Sequence, residues 1–141
     1  MKPDVKIAIE SPPEKATLTD LGAGLRRYNE SFTGPSEAIE YVVTLRDAYG
    51  KFLGGVYCDL YWSALFVKWV WLDDSARKHG YGAKLLVDAE AEGRKRGATM
   101  AHLDTFSFQA RGFYEKYGYR VFGTLDYPGA NIQRHYMSKL L

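Results

Sequence analysis

Apolar and polar positions alternate in a strand-like pattern over most of the first half of the chain. Residues 5–9 place apolar side chains at every second position, which predicts a short first strand. Residues 18–28 instead repeat apolar side chains every three or four positions, which predicts a helix with Thr17 or Thr19 as its N-cap. The Gly-Pro pair at 34–35 is expected to end that helix.

The next apolar stretches predict a hairpin followed by a buried strand. Residues 41–45 and 52–60 are rich in β-branched and aromatic side chains, and the segment between them has turn-forming composition. The Gly-Gly pair at 54–55 indicates a bulge or a close approach of two backbones. Residues 65–72 are apolar on both faces apart from Lys68, which predicts a central strand that is covered on each side.

The second half of the chain alternates helices and strands. Residues 82–96 carry one apolar stripe, which predicts a helix that ends at Gly97. Glu90 and Glu92 each precede an arginine by four residues, and both Glu-Arg pairs are predicted on the exposed face of this helix. Three later strands are predicted at 98–105, 119–125 and 132–140, with a short helix at 108–117 between the first two of them. This order predicts an α/β protein of the α+β type, with a mixed, mostly antiparallel twisted sheet of about six to seven strands flanked by helices.

Composition narrows the class of protein. The chain of 141 residues fits a single domain at positions 1–141. Hydrophobic residues make up 46% and charged residues 26%, which favours a folded globule over a disordered chain. The net charge of +2 comes without a dense basic block, which argues against a nucleic-acid binder. No apolar run is long enough for a membrane span and the N-terminus has no apolar signal core, so a cytoplasmic protein without membrane contact is expected.

Cysteine, histidine and tryptophan indicate little specialised chemistry. The single cysteine, Cys58, excludes an internal disulfide, and its sequence neighbours offer no activating base, so a small buried apolar role is expected. The three histidines lack metal-ligand spacing, so no metal is expected. Trp62, Trp69 and Trp71, together with Phe66, are predicted in the core, with one or two of them lining an acceptor pocket beside the central strand.

A glycine-containing turn at residues 77–82 joins the central strand to the predicted helix. A strand, a glycine turn and a helix start present unpaired backbone N–H groups and the positive end of the helix dipole to an anion, which favours a pyrophosphate. The residues match neither a P-loop, which needs GxxxxGK[ST], nor the dinucleotide fingerprint GxGxxG, since Leu85 stands at the third glycine. A turn that only closes a strand-helix junction is the alternative.

Two motifs in the second half of the chain, Arg-Lys-His-Gly-Tyr-Gly at 77–82 and Phe-Tyr-Glu-Lys-Tyr-Gly-Tyr at 113–119, resemble the signatures of the GNAT family of N-acetyltransferases. Arg77, Gly80 and Gly82 match the family's Arg/Gln-x-x-Gly-x-Gly/Ala signature, and residues 113–119, Phe-Tyr-Glu-Lys-Tyr-Gly-Tyr, match its second signature. The resemblance is strong over residues 65–123, and residues 103–110 resemble a bacterial subgroup of small members. It implies the GNAT acyl-CoA N-acyltransferase fold, with a bulged central strand that splays from its neighbour and admits the pantetheine arm.

The resemblance implies a cofactor site for acetyl-CoA. Strand backbone would bind the pantetheine arm, turn amides would bind the pyrophosphate, and Ser107 stands where the family has an asparagine, with Phe108 or Gln109 expected to compensate. The implied cofactor contacts are Val70, Leu72, Arg77, Lys78, His79, Gly80, Tyr81, Gly82, Ser107 and Tyr114.

The resemblance also implies an acid for the leaving thiolate but no base. Tyr114 matches the family tyrosine near the cofactor sulfur, where a phenol can donate to the departing thiolate as a general acid. An ammonium acceptor must lose a proton before it attacks, and residues 64–72 contain no carboxylate. Asp104 is the base candidate kept here, and His102, Asp59, Glu40 or ordered water are the alternatives.

The leading functional hypothesis is an acetyl-CoA-dependent N-acetyltransferase that acts on a primary amine through direct transfer. A non-catalytic acyl-CoA-binding regulatory module is the alternative, because the strand carboxylate is missing. The acceptor pocket is expected from the first helix and the closing strands. Dimers through the C-terminal strands are common in the family, so a homodimer is one of the states that the resemblance implies.

Overall fold

The computed structural model describes residues 1–141, which divide into two compact units, residues 1–36 and residues 37–141. The first unit contains one helix, α1 (Lys15–Thr33). It ends at Gly34, whose φ of 73° lies in the left-handed region and whose N–H donates to the carbonyl of Glu30 at 2.8 Å. The helix and its end are therefore confirmed, and a single domain over both units stays a prediction.

Two details of the first unit were predicted wrongly. Residues 5–9 form no strand. A strand needs a neighbour for its backbone N–H and C=O groups, and the first unit has no second strand, so alternation alone does not make one. The predicted caps are also wrong, because α1 begins after Glu14 and encloses both threonines, and the Thr19 hydroxyl donates to the carbonyl of Lys15 at 3.0 Å.

The second unit is built on a six-stranded sheet with the spatial order β1-β2-β3-β4-β6-β5. All neighbouring pairs are antiparallel except β3 and β4, which are parallel, so the mixed and mostly antiparallel sheet is confirmed. Its strands are β1 (Ile39–Arg46), β2 (Phe52–Tyr61), β3 (Ala64–Leu72), β4 (Met100–Phe106), β5 (Arg120–Tyr127) and β6 (Ile132–Leu140).

The predicted hairpin joins β1 to β2. Gly50 closes its turn with a φ of 87°, and the N–H of Asp47 donates to the carbonyl of Lys51 at 3.0 Å. A Cβ atom at Gly54 would overlap the carbonyl oxygen of Trp71, and one at Gly55 would lie 2.6 Å from a β1 carbonyl oxygen. The glycine pair therefore permits the close backbone approach that the sequence indicated.

The second unit also contains two α-helices and one 3-10 turn. A 3-10 turn (Asp74–Ala76) leads from β3 into α2 (Tyr81–Lys95), and α3 (Arg111–Lys116) lies between β4 and β5. The predicted stripe of α2 is buried, with Leu86 and Ala89 fully covered. No helix of the chain combines the length and apolar character that crossing a membrane requires.

Glu90 departs from the prediction for α2. Its side chain is 4% exposed and pairs with Lys139 and Tyr119, whereas Glu92 forms the predicted exposed pair with Arg96 at 2.8 Å. Helical spacing alone cannot show that a lysine 49 positions away lies closer to Glu90 than the arginine four positions away.

Candidate active site

A groove opens where β3 and β4 separate. The two strands pair only from Ala64 with Met100 to Phe66 with His102, and their later residues diverge. The groove has a volume of about 1090 Å³ and is lined by side chains from both faces of the sheet. Splaying at the central strand, which the resemblance implied, is thus a feature of this sheet.

A bulge in β3 marks the same place. Val67 pairs with Cys58 and Trp69 with Tyr57, so Lys68 is the extra residue on β3. A bulge bends the strand and increases its twist, which moves the later part of β3 away from β4.

Two residues of β3 direct their backbone groups into the gap. The N–H of Asp73 donates to the carbonyl of Leu53 on β2 at 2.8 Å, and Leu72 pairs with Gly54. Leu72 is therefore at a non-hydrogen-bonded position towards β2, and Val70, two residues earlier, is at the next one. The N–H and C=O groups of both residues face the side of β3 where β4 has diverged.

The turn from β3 into α2 presents unpaired amides at one end of the groove. Gly80 is the N-cap of α2 with a φ of 80°, and the first backbone bond of the helix runs from the N–H of Lys84 to the carbonyl of Gly80. The amides of residues 78–83 have no acceptor within the chain. This cluster of N–H groups at a helix start fits an anion such as a pyrophosphate.

The side chains of this turn are divided between the groove and its surroundings. Arg77 and Lys78 line the groove, and Arg77 is held by its Nε, which donates to the carbonyl of Leu72 at 3.1 Å, and by its Nη1, 3.0 Å from a carboxylate oxygen of Asp74. His79 and Tyr81 do not line the groove. Of these four residues, Arg77 and Lys78 are therefore the ones that bring a charged side chain to the groove.

Ser107 is outside the groove. Its hydroxyl accepts the N–H of Gln133 at 3.1 Å, and its own N–H donates to the carbonyl of the same residue, so Ser107 ties the end of β4 to the start of β6. Gln109 does line the groove, and its Oε1 accepts the N–H of Phe106 at 2.7 Å. Phe108 and Gln109, which the sequence analysis expected to compensate for the serine at position 107, both line the groove.

Tyr114 is the buried residue of α3 and lines the groove. The residue is 8% exposed, and burial, with a smaller effect from the Asp104 carboxylate, raises the pKa of Tyr114 to about 12. Its hydroxyl has no hydrogen-bond partner in the chain. Because every fully buried polar side-chain atom of the protein does have a partner, the hydroxyl oxygen of Tyr114 is not fully buried. The hydroxyl is therefore open to the groove, protonated and free to donate.

Asp104 lies in the groove as half of an ion pair. Arg134 donates to Asp104 Oδ1 through Nε and Nη2, each at 2.8 Å, while Oδ2 has no partner in the chain. The guanidinium lies over the rings of Phe106 and Tyr136, at 5.5 and 5.3 Å from their centroids. Arg134 thus fixes the Asp104 carboxyl group in one orientation and leaves one of its oxygens without a partner.

The other base candidates do not line the groove. Glu40 accepts the hydroxyl of Tyr57, and Asp59 pairs with Lys68 at 3.1 Å. His102 stacks on Phe66 with ring centroids 4.8 Å apart, and burial lowers its pKa. Among the carboxylates and imidazoles named from the sequence, Asp104 alone borders the groove.

The tryptophans are not core residues. Trp69 is 70% exposed and Trp71 is exposed as well, because both side chains stand on the sheet face away from the core cluster, and Trp62 is exposed in the turn between β2 and β3. Trp69 and Trp71 do line the groove with Phe66, and their part in an acceptor pocket stays a prediction. The central strand is therefore covered only on the face that Leu65 and Val67 share.

Cys58 is enclosed in the core, away from the groove. It is fully buried, and burial raises the pKa of its thiol to about 12. A neutral thiol without access to the groove cannot act as a nucleophile there. The chain contains no cluster of three or more His, Cys, Asp or Glu side chains that could hold a metal ion.

Sequence reasoning missed three charged residues of the groove, Lys68, Lys116 and Arg134. Arg134 comes 30 residues after Asp104, and only the pairing of β4 with β6 brings them together. Lys116 stands inside the Phe-Tyr-Glu-Lys motif, so its place beside Tyr114 could have been found from the sequence.

Comparison with protein families agrees with this geometry. The family model for the acetyltransferase (GNAT) domain matches residues 37–121, which include the sheet opening, the glycine turn and Tyr114.

Three known proteins are similar to the chain. Blasticidin-S acetyltransferase of Streptomyces morookaense is 37% identical over 94 residues, which cover 65% of this chain and 68% of that protein. An acetyltransferase of Agrobacterium fabrum is 33% identical over 116 residues, 82% of each chain. The crystal structure of an acetyltransferase from Bacillus cereus superposes with a TM-score of 0.84 at 29% identity, covering 96% of this chain and 98% of the other.

Proposed function

Because the chain belongs to the GNAT family of acetyltransferases, we propose that it moves the acetyl group of acetyl-CoA directly to a primary amine of a small molecule or peptide. The observation that carries the proposal is the position of the Tyr114 hydroxyl, unpartnered and open to the groove between β3 and β4. The acceptor is the part of the proposal that goes furthest beyond the family assignment.

Acetyl-CoA would bind along the β3 side of the groove. GNAT acetyltransferases use this thioester as acetyl donor. The free backbone groups of Val70 and Leu72 suit the amides of the pantetheine arm, which would add to β3 as a neighbouring strand does. The unpaired amides of residues 78–83 suit the pyrophosphate, and Arg77 and Lys78 add positive charge.

The chemical step is the attack of a neutral amine nitrogen on the carbonyl carbon of the thioester. A C–N bond forms, the C–S bond breaks, and its electron pair leaves with the sulfur. Tyr114 stabilises this developing thiolate through its hydroxyl group. Since the pKa of Tyr114 is about 12 and a thiol has a pKa of about 8.5, the phenol donates a strong hydrogen bond rather than its whole proton.

The amine must also lose a proton. Asp104 borders the groove and its Oδ2 has no partner in the chain, so we assign Asp104 as the acceptor of that proton, directly or through water. Arg134 fixes the carboxylate in place, and a carboxylate is in general only a weak base. A weak base suffices when the thioester is attacked by the small neutral fraction of the amine.

Acceptor-dependent turnover tests the proposal. Purified protein with acetyl-CoA is incubated with polyamines, aminoglycosides, peptide N-termini and simple primary amines, and with blasticidin S, because the name of the Streptomyces relative identifies that compound as its substrate. Release of free CoA thiol is measured with and without each amine, and mass spectrometry identifies the product. At least one amine is expected to give an N-acetyl product in equal amount to the CoA released.

The alternative is a non-catalytic acyl-CoA-binding module. It predicts acetyl-CoA binding by calorimetry with no acceptor-dependent thiol release for any amine in the panel. The Tyr114→Phe variant separates the two, because a module without chemistry has no rate for this variant to lower.

A further inference from the structure

A buried ion pair lies behind α3, outside the groove. Glu90 of α2 accepts from Lys139 Nζ through Oε1 at 2.6 Å and from the Tyr119 hydroxyl through Oε2 at 2.8 Å. Glu90 is 4% exposed and Tyr119 is 1% exposed. Neither Glu90 nor Lys139 lines the groove, so the pair takes no direct part in the proposed chemistry.

Lys139 also holds the end of α3. Its Nζ donates to the carbonyl oxygen of Tyr117, the C-cap of α3, at 2.7 Å. The chain then turns at Gly118, where φ is 92° and the stem of Lys139 lies about 4 Å from where a Cβ would be. A lysine ammonium at a helix C-terminus satisfies a free carbonyl and the negative end of the helix dipole.

The same turn is bonded to Tyr114. The carbonyl of Tyr114 accepts the N–H of Tyr117 at 3.0 Å and the N–H of Tyr119 at 3.1 Å. The rings of Tyr114 and Tyr119 meet edge to face with centroids 5.9 Å apart. Both the backbone and the ring of Tyr114 therefore rest on residues that Glu90 and Lys139 hold.

We propose that Lys139, fixed by Glu90, is a positioning residue that sets the place of the Tyr114 hydroxyl in the groove. This inference rests on the proposed function, because it assumes that Tyr114 assists the departing thiolate. The helix α3 has only six residues, so its end is a large part of what fixes it. Contacts that assist a transition state tolerate little displacement, and a shift of about 1 Å can cost about 100-fold in rate.

A double-mutant cycle on kcat tests the inference. Lys139→Met keeps the unbranched stem and removes the ammonium, and it is measured alone and together with Tyr114→Phe, using an acceptor found in the amine panel. Lys95→Met, at an exposed lysine of α2 without a salt bridge, is the matched control. Lys139→Met is expected to lower kcat at least about fivefold in the Tyr114 protein and less than about twofold in the Tyr114→Phe protein, since residues that act through each other are not additive. The Kd for acetyl-CoA should stay within about twofold.

Misfolding is separated from misplacement by a second variant. The double variant Glu90→Gln with Lys139→Met removes both charges of the ion pair, so no unpaired charge is left buried. The Tyr117 carbonyl still lacks the ammonium that binds it in the unsubstituted protein. The melting temperature of the double variant should lie above that of Lys139→Met, with kcat still low. Equal losses of kcat in both Tyr114 backgrounds, or a kcat that recovers with the melting temperature, would overturn the positioning role. If Tyr114→Phe alone keeps the full rate, the assignment of Tyr114 fails first, and the inference fails with it.

Discussion

Arg134 binds Asp104 through Nε and Nη2 on a single oxygen, Oδ1, each at 2.8 Å, and leaves Oδ2 of this groove residue without a partner in the chain. A pair made only for stability has no reason to leave one oxygen of a groove carboxylate free. The arrangement suits a carboxylate that is held in one orientation and still accepts a proton on its other oxygen. It also explains why the missing carboxylate on β3 does not leave the groove without an acidic side chain.

The role of Asp104 is tested by Asp104→Asn, which keeps the shape and removes the base. The expected loss in kcat/KM is about 100-fold, at the low end of general base catalysis, with an unchanged Kd for acetyl-CoA. Asp88→Asn is the matched control because it breaks an ion pair of α2 outside the groove, with Lys84 at 2.7 Å. Steady-state rates of both variants decide the point, and equal rates would assign the proton to water instead.

Gly82→Val tests the binding of acetyl-CoA at the turn. A Cβ at Gly82 would lie 3.5 Å from Leu72 Cδ1 and 3.8 Å from Phe113 Cζ, ordinary contacts, so the fold should accept the substitution while the branched side chain narrows the groove between these two lining residues, next to the free amides. At least about a tenfold loss of acetyl-CoA affinity is expected by calorimetry, because the amides can no longer reach the phosphates. Ala91→Val, on an exposed position of α2, controls for the β-branched residue. Equal affinities for both variants contradict the site.

Direct transfer is tested at Cys58. The thiol is fully buried with a pKa raised to about 12, so it cannot carry an acetyl group between the two substrates. Cys58→Ala should keep kcat within about threefold of the unsubstituted protein, and initial-rate patterns should intersect, as a ternary complex requires. Parallel ping-pong lines, or an acetylated Cys58 recovered without acceptor, would be evidence for a covalent intermediate.

The burial of Tyr114 also predicts a pH dependence of stability. Its pKa is about 12 in the folded chain and 10.0 without the fold, so the folded state favours the neutral phenol. That stabilisation is complete below about pH 10 and is lost as the pH rises towards about 12, by up to about 3 kcal/mol. Urea unfolding of the unsubstituted protein and of Tyr114→Phe at both ends of this range measures it. The free energy of unfolding of the unsubstituted protein, minus that of Tyr114→Phe, should decrease as the pH rises. A difference that stays constant over this range contradicts the burial effect.

Local patterns predicted the parts of the fold that depend on local contacts. The stripe of α2, the glycine ends of the helices and the hairpin before β3 follow from spacing and turn residues within a few positions. The strand predicted at 5–9 failed because alternation shows which side chains share a face, and not whether a neighbouring strand is there to pair with. Glu90 failed for a related reason, since a lysine from β6 lies closer than the arginine on its own helix.

The site divides in the same way. The turn at 77–82 and Tyr114 lie within short motifs, so their types and order were readable from the sequence. The pairing of Asp104 with Arg134 depends on the register of β4 against β6, and no pattern along the chain reports that register. Ser107 holds the position of the family's asparagine but is bonded to Gln133, which its sequence position could not show.

The rate of Tyr114→Phe is the most direct test of the mechanism. The substitution removes one oxygen and keeps the ring contacts with Phe113 and Tyr119, so folding and acetyl-CoA binding should change little. If the hydroxyl stabilises the departing thiolate, kcat with a working amine falls by about 100- to 1,000-fold while the Kd for acetyl-CoA stays within about twofold. A kcat within about threefold of the unsubstituted protein would contradict the account, because a donor that acts only in the transition state cannot be removed at so small a loss.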